Sequence, residues 1–504
     1  MGLYDFTIYH LIKRNAKFHS DRTALISGDV KITNQQFLDI VDRLAAGLQQ
    51  AGVEKGDRLG VLAQNCLEFV YLYGAAAKIG AIMLPVNWRL QPEEVAYNIS
   101  DSTPKLLVAG AEFQDLAASL LAKFDFVKKA YALGPAAGEF SSFQDLLESS
   151  SDGAEVEVSD RDDYLIIHTA AVAGKPRGGV LTHQNLIAAN IQSIVVWGLS
   201  PEDCHLCILP LFHIAGLGAC LNLIHAGGSN VILPKFDPAM ALKHIQEDKV
   251  SMIPVFPPIL STLLERNKEL NYDLTSLRIV GGLDTPETIQ QYESQTGGTF
   301  WTGFGQTETT GIISYGVYRE KPGAAGIPGV LTEMEVMDES GNMVKTGETG
   351  EIVIRGPVVF RGYWNLAKET EYAFRNGWHH TGDMGRLDED GYLFYAGRMP
   401  EKELIKSGGE NVYPSEVEMA ILEHPRVTEA CVIGVADEQW GEAVKAVCVL
   451  QKDESLAQAE LAEFVASKIA RYKKPRYITY VSELPKTADG SIDRAKVKAE
   501  YGRN

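Results

Sequence analysis

TNQQFLDIVDRLAAGLQQAGVEKGDRLGVLAQNCLEFVYLYGAAAKIGAIMLPV, residues Thr33 to Val86, carries the pattern that decides the architecture. Polar Thr33 precedes a run with Phe37, Ile40, Val41, Leu44 and Leu48 at helical spacing, and Gly52 stops it. That is an amphipathic helix. A short strand around Leu59 to Leu62, a second helix around Phe69 to Ala77 and the apolar run Ala81 to Val86 follow. Strands alternating with helices predict a mostly parallel sheet covered on both faces.

The alternation continues through LLVAG near Leu106, YLIIH near Tyr164, NVILP near Asn230, SMIPVF near Ser251 and LRIVGG near Leu277. After about Gly329 it gives way to short strands punctuated by glycine and acidic turns, a β-rich subdomain over about 329–398. Beyond Arg398 comes the polar stretch MPEKELIKSGGENVYP, then a helix opened by Pro414. Strands ACVIGVA and AVKAVCVLQ, a helix from about Ala457 to Tyr472 and the strand YITYV complete a compact unit. The expected fold is α/β: a large N-terminal body of α/β subdomains over 1–398 with its β-rich part, and a small mobile α+β C-terminal domain over 399–504.

The chain's 504 residues exceed what one core usually organises. Its net charge of −19 repels a phosphate backbone, so nucleic acid is excluded as a partner. No stretch approaches the roughly 20 apolar residues that span a bilayer, and the start lacks a continuous apolar leader, so a cytoplasmic protein without integral membrane association is expected. The six cysteines are sparse and irregular. Cys204 and Cys207 form a CxxC, but DCHLCILP reads as a strand, and core thiols fit better than a disulfide or metal framework.

Three segments carry chemistry. HTAAVAGKPRGGVLTH, His168 to His183, follows an apolar strand and precedes a helix; a glycine-containing strand-to-helix loop presents backbone N–H groups to phosphate, although a plain βα turn has the same form. In GFGQTETTG, Gly303 to Gly311, glycines let backbone approach a flat ligand, Phe304 can stack on it, Thr307 offers a hydroxyl, and Glu308 can hold a hard cation through oxygen. A glycine-rich turn with an incidental acid is the bland alternative. In WHHTGDMGRLDEDGYLFYAGR, Trp378 to Arg398, Asp383 suits the vicinal hydroxyls of a ribose and Arg398 supplies a delocalised cation.

The order and combination of these segments resemble the acyl-CoA synthetase, peptide-synthetase adenylation and luciferase superfamily, over essentially the whole chain. LPLFHIAGL from Leu209, GEIVIRGP from Gly350, RGYWN from Arg361 and SGGENVYPSEVE from Ser407 add to the likeness. The resemblance implies an ATP-dependent acid:CoA ligase that uses magnesium and CoA. It assigns ATP phosphates to Thr169, Gly174 and Arg177, and adenine to Gly282, Leu283, Asp284, Gly303, Phe304 and Gly305. Thr307 and Glu308 would serve phosphate and magnesium, Asp383 and Arg398 the ribose and phosphate, and Gly408, Gly409 and Glu410 the thiol's tunnel. An acyl pocket of Trp197, His213, Ile214, Gly216 and Trp301 to Gly303 implies a hydrophobic acid, a fatty acid first and an aryl acid next. A homodimer is a compatible assembly.

Two departures from the family pattern stand out. In the phosphate loop the hydroxyl and glycine positions have become Ala170, Ala171, Val172 and Ala173, and the lysine is Arg177. In PKTADGSIDR the position of the family's catalytic lysine holds Ser491, with Lys486, Arg494 and Lys496 nearby. The hinge, near Glu401 to Glu403, carries two extra residues. These features also suit a member that binds nucleotide or acyl-CoA without efficient adenylation, and the same site would serve an enzyme that loads a carrier-protein thiol.

Overall fold

The computed structural model describes residues 3, 5–148, 153–169, 176–398, 404–487 and 492–503. Thr33 caps the first long amphipathic helix, Asn34–Gln50, accepting from the Gln36 N–H at 3.2 Å, and Phe37, Val41, Leu44 and Leu48 bury one face of it. That face and the helix Leu67–Ile79 pack together between two large sheets.

In the eight-stranded sheet, Arg58–Leu62 lies between Ile82–Pro85 and Leu106–Gly110, parallel to both. In the nine-stranded sheet Cys204–Cys207, Ser229–Ile232, Met252–Val255, Ile279–Gly282 and Thr299–Thr302 are parallel neighbours, and antiparallel strands close the edges. One apolar cluster draws Leu59, Val61 and Leu165 from the first sheet, Leu25, Cys207 and Ile232 from the second, and Phe37, Leu44, Phe69 and Leu217 from the helices between. Strands buried on both faces read as continuous apolar runs, which is why the alternation was visible in the sequence. The CxxC pair lies in a buried strand as unpaired thiols.

A four-stranded antiparallel sheet, Glu333–Met337, Gly350–Arg355, His379–Leu387 and Leu393–Arg398, forms the β-rich part. The small C-terminal domain pairs Val427–Asp437 with Gly441–Leu450, adds Tyr477–Val481 in parallel, and covers them with Pro414–Leu422 and Gln458–Lys468. That last helix is shorter than its sequence pattern: it ends at Lys468, and Arg471–Lys473 forms a separate 3₁₀ turn.

Two core histidines make the fold acid-sensitive. His183 stacks on Tyr164 with centroids 4.3 Å apart, and burial lowers its pKa to about 3. His205, wholly buried with its Nδ1 2.8 Å from Asn230 Oδ1, is lowered by burial to about 4. Unfolded, each takes a proton near pH 6.5; folded, each stays neutral. Below pH 6.5 the unfolded chain therefore binds more protons, and each histidine costs about 1.4 kcal/mol of stability per pH unit until its folded pKa is reached. The melting temperature is expected to fall steadily from pH 6.5 to 4.5, and a flat profile across that window would contradict this account.

Candidate active site

Strand register sets the first cluster. Asp383 and Arg398 are cross-strand partners in the antiparallel sheet, and the Arg398 Nε stands 3.0 Å from Asp383 Oδ1. Its N–H is not aligned on that oxygen, so the contact is an ion pair without a hydrogen bond. The Tyr395 hydroxyl donates to Oδ1 at 3.0 Å and Gln306 Nε2 donates to Oδ2 at 2.6 Å. Burial opposes the Arg398 charge, but Asp383 outweighs it and holds the guanidinium firmly protonated.

The second cluster joins the two remaining motifs. Thr307 and Glu308 sit in a buried 3₁₀ turn, and Tyr363, from the RGYWN stretch, donates to Glu308 Oε1 at 3.0 Å. The Arg177 guanidinium lies over the Tyr363 ring, 4.3 Å from its centroid, and its buried Nε has no hydrogen-bond partner among the described residues. Burial, reinforced by the Glu308 charge, pushes the Tyr363 phenol well up, so it acts as a donor throughout the physiological range.

The loop between these clusters is not the strand-to-helix turn that its sequence suggested. Asp163–Thr169 pairs antiparallel with Arg177–Thr182, Thr169 opposite Arg177, and the helix begins only at His183. The apolar run GGVLT extends the sheet before Thr182 caps the helix, so a strand stands between the glycine-containing stretch and the helix. Gly174 and the alanine-rich positions 170–173 lie outside the described residues, as do the hinge residues Glu401 to Glu403 and Ser491.

Gly282 occupies a position no other residue fits: φ is +143°, and a Cβ would stand 1.9 Å from the Val255 carbonyl oxygen. Leu283 beside it is exposed, and Asp284 accepts from the Thr285 N–H at 2.8 Å through Oδ1 while its buried Oδ2 has no partner among the described residues. Gly303 and Gly305 lie where a Cβ would meet Ile312 and Gly311 respectively. Phe304 is itself buried, and the exposed ring beside it is Tyr395, with centroids 6.1 Å apart. Trp197 is set edge-on to Tyr315 at 5.5 Å, and Trp301 and Ile312 pack against the same cluster.

The small domain presses its Gly408–Glu410 turn onto the large one. Gly409 abuts the Phe256 ring, and Glu410 pairs with Arg89 at 2.9 Å, while Arg89 stacks on Trp88 at 4.6 Å. Beneath the turn is a cavity of about 120 Å³ lined by Arg89, Leu209, His213, Lys235, Phe256 and Gly409, among others. His213 caps the helix Ile214–Ala226, its Nδ1 accepting from the Ala215 N–H at 3.2 Å. Burial lowers its pKa, so the ring is neutral with its proton on Nε2. Two further groups come from the small domain. Lys406, an exposed residue, places its Nζ 5.5 Å from the Tyr395 ring centroid. Tyr413 is buried within electrostatic reach of Arg398, Glu308, Arg177 and Asp383.

Gln306, Tyr363, Tyr395, Lys406 and Tyr413 were not singled out from the sequence. Each lies inside or beside a quoted motif, and that adjacency was the one signal available. Among the described residues no helix is long and apolar enough to cross a membrane, and no group of three or more His, Cys, Asp or Glu residues could hold a metal ion.

A sheet-and-helix body carrying nucleotide-type clusters, closed by a small domain with a glycine turn, is the arrangement of an AMP-forming ligase. The family models agree: residues 12–364 match the AMP-binding enzyme family and residues 416–491 its C-terminal domain. A feruloyl-CoA synthase of Amycolatopsis sp. is 32% identical over 97% of this chain and 98% of its own. An indoleacetate–CoA ligase of Aromatoleum aromaticum is 33% identical over 98% of both chains. The crystal structure of a Rhodopseudomonas palustris protein described as a long-chain-fatty-acid CoA ligase is 46% identical, with a TM-score of 0.76 over 79% of this chain and all of that one. The chain belongs to the AMP-binding enzyme family and is an AMP-forming acid–thiol ligase, with ATP and CoA as its co-substrates.

Proposed function

We propose that the protein activates a hydrophobic carboxylic acid as its acyl adenylate at the cluster around Tyr363 and Asp383, then transfers the acyl group to CoA through the cavity beneath Gly408–Glu410. The observation that carries this is the convergence of three separate stretches: Gln306 donates to Asp383, which pairs with Arg398, while the adjacent Glu308 accepts from Tyr363, over whose ring Arg177 lies. Arg177, Glu308, Asp383 and Arg398, from three separate stretches, are thereby gathered around one set of hydrogen bonds and ring contacts.

In the first half, a carboxylate oxygen attacks the α-phosphorus and pyrophosphate leaves. Arg177 and Arg398 offset the charge that accumulates as two anions meet. Asp383 receives the ribose hydroxyls, and the unpartnered Asp284 Oδ2 is a fitting acceptor for the adenine amino group. Glu308 keeps Oε2 without a hydrogen-bond donor among the described residues, which suits a magnesium ion held chiefly by the nucleotide's own phosphates. Such an ion would supply charge neutralisation on the leaving group.

In the second half, the thiol gives up its proton to solvent, its sulfur attacks the acyl carbonyl, and the bond from that carbon to the AMP phosphate oxygen breaks so that AMP leaves. Neutral His213, donating from Nε2, faces the tunnel as a donor for the carbonyl oxygen and not as a base. The described arrangement, with the glycine turn on the large domain, suits this second half; we assign the small domain to 399–504 and its turning point to the hinge before Leu404.

The acid is expected to be compact and apolar. Trp197 set edge-on to Tyr315, with Trp301 and Ile312 packed against the same cluster, supports an aryl or arylalkyl acid ahead of the medium or longer fatty acid that the sequence placed first. The test is to incubate the protein with ATP, magnesium and matched panels of aryl and fatty acids, following pyrophosphate with and without CoA. Acyl-CoA formed faster from aryl acids is the expected result. Faster turnover of long fatty acids would overturn the pocket assignment, and no pyrophosphate from any acid would overturn the ligase reading for those acids.

A further inference from the structure

Asp383 is 2% exposed and its carboxylate has two oxygens with about two lone pairs each. Among the described residues each oxygen receives one aligned protein hydrogen bond: Tyr395 on Oδ1 at 3.0 Å and Gln306 on Oδ2 at 2.6 Å. Arg398 contributes charge to Oδ1 without an aligned N–H. One acceptor site therefore remains on each oxygen, which matches two neighbouring hydroxyl donors.

What fixes the plane of that carboxylate is the Gln306 amide. Its Nε2 donates both to Asp383 Oδ2 and, at 3.2 Å, to the Thr381 carbonyl oxygen, so the two bonds tie the aspartate side chain to its own strand. The Gln306 Oε1 in turn lies 3.2 Å from His379 Nε2, a contact that is favourable only when that nitrogen carries the proton and the amide oxygen faces it. His379 is 3% exposed and wedged edge-on against Phe360 and Phe374, so it cannot swing away. The amide is thus oriented from behind by an imidazole that is itself held by packing.

We infer that Gln306, oriented by His379, is a positioning residue that sets ribose recognition by holding the Asp383 carboxylate in the plane that accepts both hydroxyls of the nucleotide. The inference rests on the assignment of Asp383 to the ribose and adds the residues that make it selective. Gln306 itself need not touch the nucleotide.

The measurement is calorimetric binding of AMP and of 2′,3′-dideoxy-AMP to the full-length wild type, Gln306→Met, His379→Phe and Asp383→Ala. Methionine keeps the volume of glutamine without its donors, and phenylalanine keeps the ring without its N–H. Gln306→Met is expected to weaken AMP about tenfold, the usual effect of losing a hydrogen bond to a charged group, and to leave dideoxy-AMP nearly unchanged. His379→Phe should move AMP in the same direction by less, with both melting temperatures near that of wild type. If Asp383→Ala abolishes the preference for AMP but Gln306→Met weakens both nucleotides alike or neither, the role of Gln306 is refuted and the ribose assignment stands. If Asp383→Ala keeps the preference, both fall. Should Gln306→Met fail to fold, His379→Phe decides: a loss confined to AMP supports the relay, and equal losses refute it.

Discussion

Ser491→Lys is expected to raise the rate of acid-dependent pyrophosphate release about a hundredfold, the usual worth of one preorganised contact to developing charge in a transition state. Ser491 stands where the resemblance places the family's catalytic lysine, and the nearby cations pair with carboxylates of the small domain. Arg494 forks onto Glu418 at 2.6 and 3.0 Å, Lys486 pairs with Glu429 at 2.7 Å, and Lys496 pairs with its neighbour Asp493 at 3.1 Å. The partners named for all three belong to the small domain. The measurement is ATP–pyrophosphate exchange with a saturating acid, comparing wild type with the variant. An unchanged rate would mean that another cation already does the work; Lys406, which the small domain brings to the Asp383 and Tyr395 cluster, would then be the group to replace.

Lys473→Met is expected to slow acyl transfer to CoA by on the order of a hundredfold or more while leaving pyrophosphate exchange nearly intact. Lys473 belongs to the small domain, yet its ammonium, 3% exposed, pairs with Glu94 of the large domain as well as with Glu416 at 2.6 Å. Burial alone would lower its pKa, but the two carboxylates more than compensate and keep it charged. The same contact takes in the Ala470 N–H on Glu94 at 3.0 Å and the Gln91 side chain on the Ala466 carbonyl at 3.0 Å. Removing the cation leaves two buried carboxylates facing each other across the domain boundary, a change that typically costs about 3–5 kcal/mol. That penalty falls only on the arrangement in which the domains meet this way, which is the one that places Gly408–Glu410 over the cavity lined by His213 and Phe256. Single-turnover transfer from preformed adenylate, set beside exchange kinetics, separates the two half-reactions. Equal losses in both would show that Lys473 supports the small domain as a whole and does not select an arrangement.

Much of the body was legible in the sequence because its strands are short apolar runs between capped helices. The stretch His168 to His183 reads as a strand-to-helix turn because the strand before it and the helix after it are both clear, whereas GGVLT is a return strand whose partner lies outside its own local pattern. An antiparallel return strand is a pairing choice, and pairing is not written locally. The site was half legible. Thr307, Glu308, Asp383 and Arg398 announced themselves as polar groups on glycine turns, and the fold brings them together. The groups that hold them did not stand out, since Gln306, Tyr363 and Tyr395 are residue types that any surface uses.

By itself, then, the sequence determined the α/β architecture, the small C-terminal domain and the membership in an adenylate-forming family, because periodicity, caps and ordered motifs are local and survive being read one segment at a time. The tertiary structure alone decided which groups meet. Gln306 and Asp383 are separated by 77 positions and Lys473 and Glu94 by 379. Contacts at such distances depend on how whole sheets and domains pack, and a side chain carries no mark of the partner that packing will give it.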